Sequence, residues 1–362
     1  MNSVDIVIPC YNYGRYLSYC VHSVLSQRDV QVRVLIIDDN SSDDTPIVGA
    51  KLAAEESRVT FIRHVVNQGL IKTANEGIMD WTAARYALLL SADDALTQGS
   101  LIRATEIMEA HPEVGFVYGM AEVIDEEAAP VKPEISGSSS RVISGAEFLQ
   151  HSYRYGNSVP SPTAVVRLGF QKQLGGYNPG FPHTSDMEMW MRFATRSSIG
   201  VVSAVQAYYR WHPRNMTRLY IGGPISDRRE RLRTYTHISK TWAGEMPVVE
   251  GWLAGARQRF ADEAYWLAGL AMEAGDLESM RACLAFAAEN NFALWPMRSR
   301  WSFWAKRMAG PSLTRTLQSV VRKLKQNRAE EIHSALERVF LNGQQIGWWP
   351  DQSVKRTAGN RG

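Results

Sequence analysis

The first 120 residues predict an α/β fold with a doubly wound, mostly parallel sheet, and two observations lead to this prediction. Short apolar runs alternate with stretches in which apolar residues recur every three or four positions, as strands and helices alternate in such folds. Polar residues follow three of the apolar runs, at 9–12, 38–41 and 93–94. Because ligands bind beyond the carboxyl ends of parallel strands, these polar residues mark the expected site.

The individual elements follow from the same patterns. Strands are predicted at the apolar runs 4–8, 32–37, 59–62, 86–90 and 114–118. Helices are predicted between them at 16–27, from 44 or 45 onward, at 73–84 and at 101–110. The run 86–90 is entirely apolar, which predicts a central strand. The polar stretch 122–141 contains two prolines and a Gly-Ser-Ser-Ser segment, which predicts a mobile loop.

The second half of the chain changes character near residue 220. A strand at 163–166, a helix at 187–194 and an extended run at 201–209 precede that point. Beyond it the pattern predicts helices at 227–242, 255–274 and 277–290, with Gly275 and Asp276 joining the last two into a hairpin. We therefore expect an α/β domain at 1–220 and a helical C-terminal region at 221–362.

Composition excludes several classes of protein. The 362 residues carry a formal charge of only +3, so net charge does not indicate nucleic-acid binding. Three cysteines without CxxC spacing indicate neither a disulfide framework nor a zinc site. The chain shows no basic leader and no apolar stretch approaching the ~20 residues of a membrane span, so we expect a cytoplasmic protein.

Asp93 and Asp94 are adjacent acids just beyond the apolar run 86–90. Two neighbouring carboxylates repel each other, and a divalent cation between them and a diphosphate would relieve that repulsion. The alternative is an aspartate turn that caps the helix starting near Gly99. The local sequence leaves both interpretations open.

The other candidate residues also have two interpretations each. Asp38 and Asp39 either cap the following helix or accept hydrogen bonds from the base or ribose of a nucleotide. Tyr11 either packs in the fold or stacks on a base. Asp186, at the start of the helix 187–194, is either a cap or a general base.

The segment 208–217 contains the last candidates. Arg210 has the guanidinium geometry that suits phosphate, and the neutral imidazole of His212 can ligate a metal. A structural histidine is the ordinary alternative for His212.

Taken together, these motifs resemble glycosyltransferase family two, the inverting group with the GT-A fold. Seven segments match in the family's order, at 6–12, 23–27, 36–43, 67–69 with 75–77, 90–94, 175–177 with 185–190, and 209–213 with 215–217. Each motif alone is weak, whereas seven in order over two hundred residues are specific. In three places the chain departs from the family pattern, with Ala74, Ser91 and Ser185 where a basic residue, an acid and a glutamate are common.

The resemblance implies a role for each candidate. Nucleotide contacts are implied for Pro9, Tyr11, Asn12, Asp39, Asn67, Gly69, Asn75, Asp93 and Arg210. A divalent metal, Mg²⁺ or Mn²⁺, is implied at Asp93, Asp94 and His212, with Asp186 as the base that deprotonates the acceptor. With Ser91 in place of a third acid, we expect the donor's own phosphates to supply much of the metal's coordination.

The resemblance also implies the reaction. The expected activity is transfer, with inversion, from a nucleotide-diphosphate sugar such as a UDP-sugar to a saccharide or lipid-linked acceptor, in the synthesis of cell-surface polysaccharide or another glycan. Two other function classes stay open: a nucleotidyltransferase that makes sugar nucleotides, and a non-catalytic scaffold that binds them.

Residues 295–328 form a basic segment with interleaved aromatic residues. No acid occurs there, while nine lysines and arginines alternate with tryptophans and a phenylalanine. This composition is typical of peripheral contact with anionic lipid, here at the inner face of the membrane. The alternative is a basic helix that packs on the catalytic domain through its tryptophans.

Overall fold

The computed structural model describes residues 1–127, 139–215, 225–244, 246–290, 303–304 and 343–347. The chain divides into two compact units, Met1–His212 with Asn342–Gly362, and Pro213–Leu341. The predicted boundary at residue 220 falls outside the described residues, so the division at that position stays a prediction.

A ten-stranded sheet runs through the described part of the first unit. Its strands are β1 (Asn2–Cys10), β2 (Val30–Asp38), β3 (Val59–Arg63), β4 (Tyr86–Leu89), β5 (Ala95–Leu96), β6 (Val114–Asp125), β7 (Ser140–Ile143), β8 (Val165–Arg167), β9 (Ser198–Trp211) and β10 (Gln345–Ile346). The main path runs β3-β2-β1-β4-β8-β6-β9-β5, with β10 paired to β6 and β7 to β9.

Seven α-helices accompany these strands in the described part of this unit. They are α1 (Gly14–Leu25), α2 (Thr45–Glu55), α3 (Leu70–Asn75), α4 (Ser100–Ala110), α5 (Gly145–Tyr155), α6 (Leu168–Leu174) and α7 (Ser185–Ala194). A π-helical turn, Glu76–Trp81, continues α3, and a 3₁₀ turn, Ser161–Thr163, precedes β8. Alternation of strands and helices confirms the predicted α/β class.

The strand directions bring the predicted site residues to one edge of the sheet. The long ladders are parallel and join β1 to β2 and β4, β2 to β3, and β6 to β9. The short strand β8 is antiparallel to both β4 and β6, so β6 and β9 run in the same direction as β1. The carboxyl ends of β1, β2, β4, β6 and β9 therefore share one edge.

The core lies between the sheet and its helices. Fully buried apolar side chains of β1, β2 and β4 pack against the apolar face of α1, including Ile6, Ile36, Leu88, Leu17 and Val21. The predicted central position of the fourth strand is confirmed, since β4 lies between β1 and β8. This core fixes the strand ends from which the site residues project.

Several elements differ from the sequence prediction. The stretch 122–141 was predicted as a loop, but β6 continues to Asp125 and β7 begins at Ser140, because both strands gain a partner in β9. Residues 128–138 of that stretch lie outside the described residues. The helices α5 and α6 and the two-residue strand β5 were not predicted.

The second unit is helical where the structure describes it. Its helices are α8 (Ser226–His237), continued by a π-helical turn Ile238–Trp242, α9 (Val248–Ala274) and α10 (Leu277–Asn290). Gly275 ends α9 with a φ of +78°, and the Asp276 carboxylate accepts from the Ser279 amide at 3.0 Å. The predicted hairpin is therefore confirmed.

None of the helices described combines the length and the apolar character that crossing a bilayer requires. The basic segment 295–328 lies outside the described residues apart from 303–304. Its predicted membrane contact stays a prediction.

Candidate active site

The loops that follow β1 and β2 are joined by Asn12. The Asn12 amide donates to Ser41 Oγ at 2.9 Å, and Asn12 Oδ1 accepts from the Ser42 amide at 2.8 Å. Asn12 has a φ of +58°, in the left-handed region that asparagine tolerates better than most residues. These bonds shape the rim of the sheet where a nucleotide contact is predicted.

Asp39 organises the loop that follows β3. Its Oδ1 accepts from the Gln68 amide at 2.8 Å, and its Oδ2 accepts from the Gly69 amide at 2.8 Å. Asn67 adds a hydrogen bond from Nδ2 to the Asp39 carbonyl at 3.1 Å. The structure thus brings together three predicted nucleotide contacts, Asp39, Asn67 and Gly69.

His64 lies between two carboxylates beside this loop. Its Nδ1 is 2.7 Å from Asp39 Oδ1, and its Nε2 is 2.9 Å from Glu76 Oε2. Ionised carboxylates only accept hydrogen bonds, so both ring nitrogens must donate and the ring is an imidazolium. Burial lowers the pKa of His64, but the hydrogen bonds and charges of the two acids outweigh that effect and raise it overall.

The same contacts act on Asp39 in the opposite sense. Burial raises its pKa, while the hydrogen bond from His64 and the two backbone amides lower it further, so the net pKa is below the usual value. Asp39 is therefore a fixed, ionised hydrogen-bond acceptor at neutral pH.

Asn75, the last residue of α3, joins this helix to the Gly-Gly-Tyr segment at 175–177. Its Oδ1 accepts from the Tyr177 amide at 2.6 Å, and its Nδ2 donates to the Tyr177 carbonyl at 2.8 Å. A Cβ on the adjacent Gly176 would lie 2.5 Å from Asn75 Oδ1, so only glycine allows this approach. The amide of Asn75 is thus engaged by the protein backbone.

Asp93 and His212 meet across 119 residues of sequence. Asp93 Oδ2 and His212 Nε2 are 3.0 Å apart, and both residues are buried. The Asp94 carboxylate accepts from the Arg210 amide at 3.0 Å. Gly99 occupies the N-cap of α4, so the alternative that Asp93 and Asp94 cap this helix is wrong.

Arg210 holds two strand ends together. Its Nε donates to the Asp93 carbonyl at 3.0 Å, and its Nη1 donates to the carbonyls of Asp125 and Glu126 at 2.9 and 3.0 Å. Its guanidinium carbon also lies 4.9 Å from the centre of the Tyr16 ring. These contacts orient the Asp93 backbone, and the predicted phosphate contact of Arg210 stays a prediction.

The acids at this edge fit a divalent cation. Burial, and then the charge of Asp93, hold the pKa of Asp94 well above its usual range, and a bound cation would relieve this cost. Among the described residues no cluster of three or more His, Cys, Asp or Glu side chains is arranged to hold a metal. Mg²⁺ sites, however, combine one or two carboxylates with water and substrate phosphates. Asp93 and His212 therefore fit a cation whose coordination a ligand completes.

Asp186 lies in the first turn of α7, whose N-cap is Thr184. Its Oδ2 accepts from Asn157 Nδ2 and from Ser161 Oγ, each at 2.9 Å. The residue is partly exposed, and many protein atoms lie around its carboxyl group. This burial raises the pKa of Asp186, although the hydrogen bonds from Ser161, Met187 and Asn157 and the nearby His183 oppose the shift.

Two predicted residues have simpler positions. Pro9 is buried within β1, and the Tyr11 side chain is 50% exposed at the same edge. Tyr11 is thus free of the core packing that its alternative interpretation required, and its contact with a base stays a prediction.

Sequence reasoning missed four residues of the site, namely His64, Glu76, Asn157 and Ser161. For Asn157 and Ser161 one signal was available, the capping motif that starts α5, because Ser144 and Glu147 have the spacing of a capping box. Recognising α5 would have placed the loop after it, which carries Asn157 and Ser161, beside the sheet.

Comparison with known proteins agrees with this geometry. Residues 5–167 match the family described as glycosyl transferase family 2. A glucosyltransferase of Campylobacter jejuni, described as GalNAc(5)-diNAcBac-PP-undecaprenol beta-1,3-glucosyltransferase, is 26% identical over 42% of this chain and 49% of its own. An uncharacterized glycosyltransferase of Rickettsia prowazekii is 25% identical over 54% of this chain and 60% of its own. The chain spans less than two thirds of the length of these curated relatives.

Solved structures share the fold. S. aureus TarS in complex with UDP-GlcNAc superposes with a TM-score of 0.51 at 13% identity, over 81% of this chain and 93% of that one. A mannosyltransferase of Pyrobaculum calidifontis in complex with GDP-Man and Mn²⁺ gives a TM-score of 0.50 at 16% identity, over 93% of this chain and 87% of that one. The predicted GT-A fold is confirmed, and the predicted resemblance to glycosyltransferase family two is confirmed over residues 5–167.

Proposed function

We propose that this chain transfers a sugar from a nucleotide-diphosphate sugar to a hydroxyl of a saccharide or lipid-linked acceptor, with inversion at the anomeric carbon. The contact of Asp93 with His212, buried and 3.0 Å long, is the observation that most supports the proposal. It unites two residues from distant motifs at the sheet edge where α/β proteins bind ligands. UDP-sugars are the first donors to test, because TarS was solved with UDP-GlcNAc.

The donor nucleotide is assigned to the loops that follow β1, β2 and β3. Pro9, Tyr11 and Asn12 form one side, while Asp39, Asn67 and Gly69 form the other. Asp39 is held ionised and can accept a hydrogen bond from a base or ribose. Asn75 is proposed to act indirectly, because its side-chain amide bonds the backbone of Tyr177.

The leaving diphosphate is assigned to the edge that carries Asp93, Asp94 and His212. A divalent cation bound there, Mg²⁺ or Mn²⁺, would neutralise charge on the diphosphate as it leaves. Asp93 and His212 would hold the cation, with Asp94 beside them. Arg210 keeps the Asp93 backbone in place and lies next to this charge.

The acceptor hydroxyl is assigned to Asp186. Its carboxylate takes the hydroxyl proton while the acceptor oxygen forms its bond to the anomeric carbon. The bond from that carbon to the diphosphate oxygen breaks in the same displacement, and the nucleoside diphosphate leaves. A single displacement inverts the configuration of the anomeric carbon.

Calorimetry with nucleotides tests the donor side of the proposal. UDP and GDP are titrated into the full chain with Mn²⁺ and with a chelator, and then into Asp93→Asn. We expect nucleotide binding that requires Mn²⁺ and is at least tenfold weaker in the variant. Equal affinity with and without Mn²⁺ would contradict the metal assignment, and no binding of either nucleotide would contradict the proposal. Release of pyrophosphate from a nucleoside triphosphate would instead identify a nucleotidyltransferase.

The lipid-linked acceptor belongs to the proposal because the Campylobacter relative is named for one. The basic segment 295–328 is the proposed membrane contact, on the strength of its sequence. Deletion of this segment should abolish salt-sensitive cosedimentation with anionic liposomes. Unchanged cosedimentation would leave the segment without this role.

A further inference from the structure

Two side chains on one loop contact the Asp186 carboxylate, and no motif of the sequence marks either of them. The loop, residues 156–160 with the 3₁₀ turn after it, connects α5 to β8. Asn157 Nδ2 and Ser161 Oγ both donate to Asp186 Oδ2, at 2.9 Å each. The Met187 amide is 2.6 Å from the other oxygen, Oδ1.

These contacts distinguish the two carboxylate oxygens. A carboxylate oxygen has two lone-pair sites, and two described donors occupy those of Oδ2. Oδ1 has a single described donor, the Met187 amide. Oδ1 is therefore the oxygen with room for a further hydrogen.

We propose that Asn157 and Ser161 are positioning residues that fix the Asp186 carboxylate through Oδ2 and leave Oδ1 to take the proton of the acceptor hydroxyl. The inference rests on the proposed function of Asp186 as the base. It adds how the base is oriented and what sets its proton affinity. Neither residue touches the reacting atoms, so both act through Asp186.

Other groups around Asp186 act on the same equilibrium. Burial favours the protonated acid, and the neighbouring His183 opposes burial when it is charged. Burial, and then the charge of the nearby Asp186, raise the pKa of the phenol of Tyr177, from the Gly-Gly-Tyr segment. Against this background the two neutral donors stabilise the carboxylate without supplying a charge, because a hydrogen bond to the ionised form favours that form.

The loop is ordered by bonds that do not involve Asp186. Asn157 Oδ1 accepts from the Val159 amide at 3.1 Å, and Ser158 Oγ is 2.8 Å from His151 Nε2. The loop begins at Gly156, whose φ of +91° suits glycine. Ser158 is therefore a matched control, since its hydroxyl orders the same loop but does not reach Asp186.

Titration of the carboxyl carbon of Asp186 by NMR tests the inference on the full chain without any ligand. The protein is labelled with ¹³C-carboxyl aspartate, and the Asp186 signal is assigned by its absence from Asp186→Asn. In Ser161→Ala and Asn157→Ala we expect the Asp186 midpoint to rise by about one pH unit each. Ser161→Thr keeps the hydroxyl and should titrate like the wild type, as should Ser158→Ala.

The outcomes separate this inference from the function it rests on. Wild-type titration in Ser161→Ala, or an equal shift in Ser158→Ala, would overturn the positioning role. Should Ser161→Ala fail to fold, a shifted midpoint in the folded Ser161→Thr would overturn it as well. The titration is an equilibrium of the free protein, whereas the role of Asp186 as base is tested separately by the activity of Asp186→Asn.

Discussion

Asp39 is the carboxylate proposed to bind the donor nucleotide, and Asp186 is the one proposed to bind the acceptor hydroxyl. Their surroundings move their pKa values in opposite directions. Burial raises the pKa of both. Asp39 accepts hydrogen bonds from cationic His64 and from two backbone amides, and their combined effect exceeds that of burial and lowers its pKa. Asp186 accepts from the neutral side chains of Asn157 and Ser161, and here the effect of burial is larger, so its pKa is raised. The difference shows how one sheet edge can hold a permanent hydrogen-bond acceptor and a group that exchanges a proton.

The largest effect is expected at Asp186. Asp186→Asn removes the carboxylate that we propose as the base, and general-base catalysis contributes on the order of 10²- to 10⁴-fold in rate. We expect transfer to fall by that factor, measured as nucleoside diphosphate released in the presence of acceptor. Nucleotide affinity by calorimetry should stay at the wild-type value, and wild-type transfer in this variant would refute the base assignment.

The next largest effect is expected at His64, the cationic partner of Asp39. His64→Ala leaves Asp39 and Glu76 without their shared cation, and removing one partner of a buried ion pair costs about 3 kcal/mol. We expect unfolding by denaturant to show a loss of that order, together with weaker nucleotide binding. Arg58→Ala is a suitable control, because Arg58 pairs with Glu56 at the surface, where water screens the interaction. Equal losses in the two variants would contradict the special role of His64.

A smaller effect is expected at Gly176, where the Gly-Gly-Tyr segment contacts Asn75 of α3. In Gly176→Ala the new Cβ would lie 2.5 Å from Asn75 Oδ1, and such overpacking costs about 1–3 kcal/mol. Gly169→Ala, in α6, meets nothing within 4 Å and should be neutral or slightly stabilising. Thermal unfolding of both variants measures the difference, and equal midpoints would mean that the Asn75 contact adapts at no cost.

The smallest effect is a pH dependence of stability. The pKa of His64 is raised on folding, so its contribution is complete below about pH 6.5 and is lost as pH rises through its folded pKa. The pKa of Asp39 is lowered, so its contribution is complete above about pH 3.9 and is lost as pH falls through its folded pKa. The pair thus stabilises the fold most between these limits. Denaturant midpoints measured from about pH 4 to above the folded pKa of His64 should decline at the high-pH end in the wild type and not in His64→Gln.

The sequence predicted the strands and helices of the first half of the sheet because their apolar spacing is local. It also placed Asp93 and His212 at one site through the family resemblance. The contacts of Asn157 and Ser161 with Asp186 could not be predicted, since they form only when the loop after α5 packs beside α7. The same holds for His64, whose two partners lie 25 and 12 residues away in the chain.

The elements that were missed had weak or misleading patterns. The strand β5 has two residues and is defined by its pairing with β9 rather than by its own composition. The far end of β6 is polar at Glu122 and Asp125, yet its ladder with β9 continues to Asp125. Tertiary pairing decided the structure at both places.

The contact between Asp93 and His212 has a consequence for folding. It closes a loop of 119 residues, and the link between Asn75 and Tyr177 closes one of 102. Contacts of such long sequence separation form slowly, because the entropy of loop closure must be overcome before they stabilise the chain. During synthesis, Asp93 leaves the ribosome well before its partner His212 does. Residues 5–167, the stretch that matches the family model, contain Asp93 but not His212, so this contact forms only after chain beyond the matched stretch has been made.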